Sequence, residues 1–138
     1  MKTRVFLDAN VLFSASLGGE VWSAIWGAAE AGGYQLVSSP YAVVEAQENL
    51  ERKRPPALRE LSRLLRSVTL VAEAEGADWT RTLLPEKDVP ILAAAVAAGC
   101  RVLLTGDLRH FGPLMNRDGL PLAVMTPAVF IRSFRPED

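Results

Sequence analysis

Four acidic residues fall near expected strand ends or helix starts: Asp8, Glu45, Asp88 and Asp107. Asp8 directly follows the apolar run Val5-Phe6-Leu7, and Asp107 follows Val102-Leu103-Leu104-Thr105-Gly106. Asp88 opens an apolar helical segment. Glu45 lies in the second turn of a helix begun by Ser39-Pro40. Carboxylates held close together repel unless a proton or a cation intervenes. Hard cations such as Mg²⁺ and Mn²⁺ favour oxygen donors of this kind. The chemistry such a site supports is metal-assisted hydrolysis of a phosphodiester. Asp8, Asp88 and Asp107 are the expected ligands, direct or through water. Glu45 would complete the site or orient the attacking water.

Each acid also has a purely structural reading. Asp8 could cap a segment beginning near Val11. Asp88 could be an N-cap worth roughly 1 kcal/mol. Asp107 could hold the turn at Gly106 through its own backbone. Glu45 lies off the Ala42/Val43/Ala46/Leu50 stripe, which suits a solvated helix face, and Glu48 and Glu86 are substitute acids. His110, the one histidine, either contacts a metal-bound water or a phosphate, or packs in its turn beside Phe111. It has no evident nucleophilic partner, so a Ser or Cys triad is not expected.

The elements that must position these residues alternate along the chain. Val5–Leu7, Gln35–Ser38, Val68–Val71, Arg101–Thr105 and Leu122–Met125 read as short strands. Helices are expected around Val11–Ala15, over Glu20–Ala31, from Ser39-Pro40 to about Lys53, over Ala57–Ser67, from Asp88 to Ala98, and from Thr126-Pro127 to Phe134. Gly32-Gly33 and Gly99 are helix stops, and Pro55-Pro56 is a break. Glu73–Lys87 is polar and mixed, with one helical turn near Ala77–Thr82. Gly106–Phe111 reads as a tight turn, and the tail Arg135-Pro136-Glu137-Asp138 should fray. Strands alternating with amphipathic helices argue a three-layer α/β/α fold on a parallel sheet of about five strands. Ligands of such sheets bind at the carboxyl ends of the strands, the edge where Asp8 and Asp107 fall.

The totals bound the answer. With 138 residues the chain suits one domain, 1–138, and buries roughly 68% of its unfolded surface. Its 49% hydrophobic and 22% charged content is that of a globular protein. A net charge of −1 excludes a broadly basic nucleic-acid binder, so attraction to phosphate must be local or carried by metal. One cysteine, Cys100, excludes an internal disulfide and a cysteine zinc site. No signal peptide is apparent, and the apolar run Val89–Cys100 is too short for a bilayer. A cytoplasmic location, away from membranes, is the expectation.

Three segments carry a resemblance: Phe6-Leu7-Asp8-Ala9-Asn10-Val11-Leu12, Asp88-Val89-Pro90-Ile91-Leu92-Ala93-Ala94-Ala95 and Leu103-Leu104-Thr105-Gly106-Asp107-Leu108-Arg109-His110-Phe111. Together with Gly119-Leu120-Pro121-Leu122-Ala123-Val124-Met125-Thr126-Pro127 they resemble the PIN domain family, in order and over nearly the whole chain. The resemblance implies the strand order 3-2-1-4-5, which makes strands 1 and 4 neighbours and sets Asp8 beside Asp107. It implies a ribonuclease site of Asp8, Glu45, Asp88 and Asp107 around Mg²⁺ or Mn²⁺, supported by Asn10, Thr105 and His110. It implies 5′-phosphate and 3′-hydroxyl products. Many small bacterial members are VapC-type toxins held by an antitoxin. This sequence departs from the family at two places. Ala9 stands where a Thr or Ser is usual, and His110 stands where many VapC-type members have an acid.

RNA must also be held. Arg59, Arg63 and Arg66 recur at helical spacing opposite Leu58, Leu61 and Leu65, and this is the one local basic patch. A solvated helix face is the alternative. Val21, Ile25 and Ala28 share a helical stripe. Trp22 and Trp26 form a face expected in the core, or in a homodimer or antitoxin contact where exposed. Two other functions compete with a ribonuclease: a non-catalytic PIN-like module that binds RNA or protein, and a phosphatase with Asp8 as nucleophile. The latter needs a second Asp two residues on, where Asn10 stands.

Overall fold

The computed structural model describes residues 2–134. The Arg135–Asp138 tail lies outside them. Five parallel strands form one sheet: β1 (Arg4–Leu7), β2 (Gln35–Ser38), β3 (Val68–Leu70), β4 (Val102–Leu104) and β5 (Ala123–Met125). Their order is β3-β2-β1-β4-β5, the expected one. Helices flank the sheet: α1 (Ala9–Ser16), α2 (Glu20–Glu30), α3 (Pro40–Lys53), α4 (Leu58–Leu65), α5 (Asp78–Leu83), α6 (Val89–Ala97), α7 (Leu108–Phe111) and α8 (Pro127–Ser133). The fold is therefore a three-layer α/β/α arrangement.

β1 is the central strand because it is apolar on both faces. Val5, Phe6 and Leu7 are fully buried, as a strand covered by helices on both sides requires. It pairs with β2 on one side and β4 on the other, with Val5 opposite Leu36 and Val102. Leu7 pairs with Leu104, and the Asp8 N–H still donates to the Leu104 carbonyl at 3.1 Å. The ladder thus ends at Asp8, with Thr105 the next residue across on β4.

Local chemistry sets the helix starts. Ser39 caps α3, its Oγ accepting from the Ala42 N–H, and Pro40 takes the first turn. Thr126 and Pro127 do the same for α8. α6 buries Val89, Ile91, Leu92, Ala93, Ala94 and Ala95, an almost wholly apolar helix lodged between other elements.

Three local expectations change. Gly106–Phe111 is not merely a turn: Leu108–Phe111 is a short helix that Asp107 caps. α4 buries Leu61 and Leu64, whereas Leu58 and Leu65 are half-buried. This helix is only eight residues long and meets its neighbours along a Leu61/Leu64 edge. α2 buries Ile25 and Trp26 and leaves Val21 at 44% exposure, with Ala28 also exposed. Trp26 turns the helix inward, because its indole offers the largest apolar area and its N–H donates to the Leu64 carbonyl at 3.1 Å.

Removing the central aromatic tests this core. Phe6→Ala should lower unfolding stability by about 3–5 kcal/mol. In urea denaturation it should move the midpoint with little change in slope.

Candidate active site

Asp8 leaves β1 into the first turn of α1. Its Oδ1 accepts the Ala9 N–H at 2.7 Å, so it caps α1 from Ala9, two residues earlier than expected. Its Oδ2 accepts from the Thr105 hydroxyl at 2.8 Å and from Asn10 Nδ2 at 3.0 Å. A carboxylate offers about four lone-pair positions, so three bonds leave Oδ1 room for one more. Asp8 is 5% exposed. Burial pushes its carboxyl up to about 6, against the lowering effect of the Thr105 and Ala9 bonds, and the charges of Glu45 and Asp88 push it further up.

Asn10 and Thr105 tie this carboxylate to the loop after β4. Asn10 Oδ1 accepts the Gly106 N–H at 2.7 Å, while its Nδ2 also reaches Thr105 Oγ1 at 3.2 Å. Gly106 sits close enough that a Cβ there would lie 3.3 Å from Asn10 Oδ1. Thr105 Oγ1 in turn accepts the Asp107 N–H at 3.1 Å. Asp8 and Asp107 are therefore joined through Thr105, which is Asp8's neighbour across the sheet. Ala9, in the position of a usual hydroxyl, is buried in the apolar core. The hydroxyl that reaches Asp8 comes from Thr105 instead.

Asp107 caps α7, its Oδ1 accepting the His110 N–H at 3.0 Å. That turn places His110 Nδ1 3.0 Å from Asp107 Oδ2 and 2.9 Å from Asp88 Oδ2. Nδ1 and Asp88 Oδ2 are both buried, and Nδ1 is in line for a full hydrogen bond with neither carboxylate. Asp88 stands at the cap position of α6 but its side chain caps nothing, which removes the structural reading of this residue. Burial raises its carboxyl and Asp107 adds to the rise, while the charges of His110 and Lys87 and the His110 side chain as a donor oppose it.

Glu45 lies on an exposed stretch of α3, one turn after Tyr41. Partial burial of its carboxyl and repulsion from Asp88 and then Glu48 raise it, while Lys87 lowers it. The charge of Glu45 acts on Asp8 as well. Tyr41 was not anticipated. Its hydroxyl donates to the Lys87 carbonyl at 2.6 Å, and it feels Glu45, Asp88 and Asp8 together. The available signal was the four-residue spacing of Tyr41 and Glu45, which puts both on one helix face.

The site thus has an inner carboxylate, Asp8, and an outer group of Asp88, Asp107 and His110. The ligand atoms of that outer group lie within 4.8 Å of one another, the one such cluster among the described residues. The expected set of Asp8, Asp88 and Asp107 is divided accordingly. A buried carboxylate oxygen and a buried imidazole nitrogen, set with a second carboxylate in one cluster, fit a bound cation.

Residues 4–109 match the PIN domain family. The chain belongs to that family. No curated protein matches it. Among solved structures it is similar to DNA-bound VapBC from Salmonella typhimurium, at 14% identity over 91% of this chain and 98% of that one, with a TM-score of 0.66. VapBC2 from Rickettsia felis, bound to a promoter DNA fragment, shares 12% identity over 90% and 98% of the two chains, with a TM-score of 0.65. PAE2754 from Pyrobaculum aerophilum shares 18% over 96% of each, with a TM-score of 0.62. These likenesses concern the fold. Family membership places the Asp8, Asp88 and Asp107 segments of this PIN domain within the matched region, and His110 one residue beyond it.

The basic helix sits elsewhere. Arg63 forms a pair with Glu60, its Nε 2.8 Å from Oε1. Arg66 stands two residues before β3 and so at the opposite, amino-terminal edge of the sheet from the carboxylates. Arg59 is exposed at the other end of α4. The cation that acts on the acidic group is Lys87. No helix among the described residues is long and apolar enough to cross a membrane.

Asp8 has a raised carboxyl, so its ionisation opposes folding. Its stabilising effect is full below pH 4 and is lost as pH rises through about 6. In metal-free protein the loss should be on the order of 3 kcal/mol for a shift of about two pH units. Carboxyl NMR titration should show a midpoint near 6. Thr105→Val removes a donor to the charged form and should move that midpoint higher.

Proposed function

We propose that this PIN domain is a divalent-metal-dependent endoribonuclease. The observation that carries the reading is the carboxylate edge itself, with Asp88 Oδ2 and His110 Nδ1 buried within it. Asp88 and Asp107 would hold Mg²⁺ or Mn²⁺, and Asp8 would complete the site through the remaining lone pair of Oδ1. An ion held there supplies Lewis-acid charge for the phosphoryl oxygens and makes a water molecule nucleophilic. Asn10 and Thr105 fix Asp8 so that its charge is in place before substrate arrives. Glu45, the most open of the four acids, with a carboxyl raised by partial burial and the charge of Asp88, would take a proton from the attacking water. Hydrolysis would leave 5′-phosphate and 3′-hydroxyl ends.

A protein partner of the VapB kind fits the same reading. Two of the similar structures are VapBC assemblies, and Val21, Val44 and Leu70 are exposed apolar side chains that could serve such a contact. A toxin held by its antitoxin is the corresponding biological role, in the cytoplasm.

Purified protein should cut RNA with Mn²⁺ or Mg²⁺ and stop in EDTA. Asp8→Asn and Asp107→Asn should each lower the rate by at least about 100-fold while the circular dichroism spectrum stays unchanged. Undiminished cutting in EDTA would refute the metal requirement. RNA contact is proposed on the Lys87 side of the sheet, with Arg59, Arg63 and Arg66 as the alternative phosphate contacts. Lys87→Glu should weaken RNA binding and flatten its salt dependence by about one ion. Arg66→Glu should do so less; the reverse ranking would return the interface to α4.

A further inference from the structure

The family's acids account for Asp8, Glu45, Asp88 and Asp107, but not for the imidazole set among them. We propose that His110 Nδ1 is itself a ligand of the metal, cis to Asp88 Oδ2 and Asp107 Oδ2, and that it biases the site towards Mn²⁺ over Mg²⁺. The inference rests on the metal-dependent reading above and adds the identity of one donor and its consequence.

Two features of the geometry support it. Donor atoms in cis positions around an octahedral ion, each at about 2.1 Å from it, lie about 3 Å apart. Nδ1 lies 2.9 Å from Asp88 Oδ2 and 3.0 Å from Asp107 Oδ2. One N–H can point at only one of these two oxygens; His110 still acts on Asp88 as a donor, while Nδ1 is in line for a full hydrogen bond with neither. Two carboxylate oxygens about 3 Å from one imidazole nitrogen are spaced as donors to a shared ion would be.

The chain also holds this ring in place. Asp107 Oδ1 accepts the His110 backbone N–H, so the residue that supplies one donor atom also orients the turn that supplies the next. One oxygen of Asp107 is used for the cap and the other faces the cluster. An imidazole nitrogen suits later first-row ions better than Mg²⁺, which favours oxygen donors. Exchanging an oxygen donor for this nitrogen should therefore penalise Mg²⁺ more than Mn²⁺.

The test is binding of the ions alone to metal-free protein, without RNA. Pulsed EPR of the Mn²⁺-loaded wild type should show a directly coordinated ¹⁴N, and that signal should vanish in His110→Asn. Calorimetric titration should show the Mn²⁺ over Mg²⁺ preference falling by at least about tenfold in His110→Asp, which restores an oxygen donor. Mn²⁺ bound with no coordinated nitrogen in the wild type overturns the inference and leaves the metal-dependent reading standing. Binding of neither ion overturns both. The wild-type EPR measurement decides the ligand whether or not either variant folds.

Discussion

The structure turns on a carboxylate that ends the central strand and is shut away from water. Asp8 is placed there by the pairing of β1 with β4, in which Leu7 meets Leu104 and the next residue across is Thr105. A buried charge is costly unless polar groups meet it. Here three donors do so, the Ala9 N–H, the Thr105 hydroxyl and the Asn10 amide. Those donors also connect to Gly106 and Asp107, so stabilising one carboxylate organises the loop that carries the others. A one-residue slip between β1 and β4 would bring the wrong side chain to Asp8 and dissolve the arrangement.

Three aspartates with similar sequence settings have different assignments because their oxygens are committed differently. Asp8 and Asp107 each give one oxygen to a helix cap, a bond that orients the other. Asp88 stands at a helix start without capping it, so neither oxygen is drawn off by the backbone of α6. Its carboxyl is raised chiefly by burial, with the charge of Asp107 adding to the rise and His110 and Lys87 opposing it. Ala9 brings no hydroxyl to the site, and the hydroxyl that reaches Asp8 is that of Thr105, just past the end of β4.

Surface features obey a different logic from the edge of the sheet. Helix faces are chosen by what packs against them, and periodicity alone does not say which of two overlapping apolar stripes wins. In α2 the buried stripe follows Trp26 and its bond to the Leu64 carbonyl, leaving Val21 exposed. In α4 the Leu61/Leu64 edge wins over Leu58/Leu65. The arginines of that helix are regular in spacing, yet the topology sets Arg66 at the far end of the sheet and Glu60 neutralises Arg63. Lys87, isolated in sequence and in no motif, is the cation next to the acids.

The sequence by itself determined the five strands, their α/β alternation and the ends of β1 and β4, because apolar runs, caps and breakers act over a few residues. With the family resemblance it also set the strand order and named the four acids. Tertiary structure alone decided how those acids are grouped. Asp8 forms an inner site with Asn10 and Thr105, Asp88 and Asp107 close around His110, and the charge of Glu45 reaches the inner carboxylate. These are contacts between residues up to 97 positions apart, set by strand register and helix rotation to within an ångström. Spacing along the chain carries no information at that resolution.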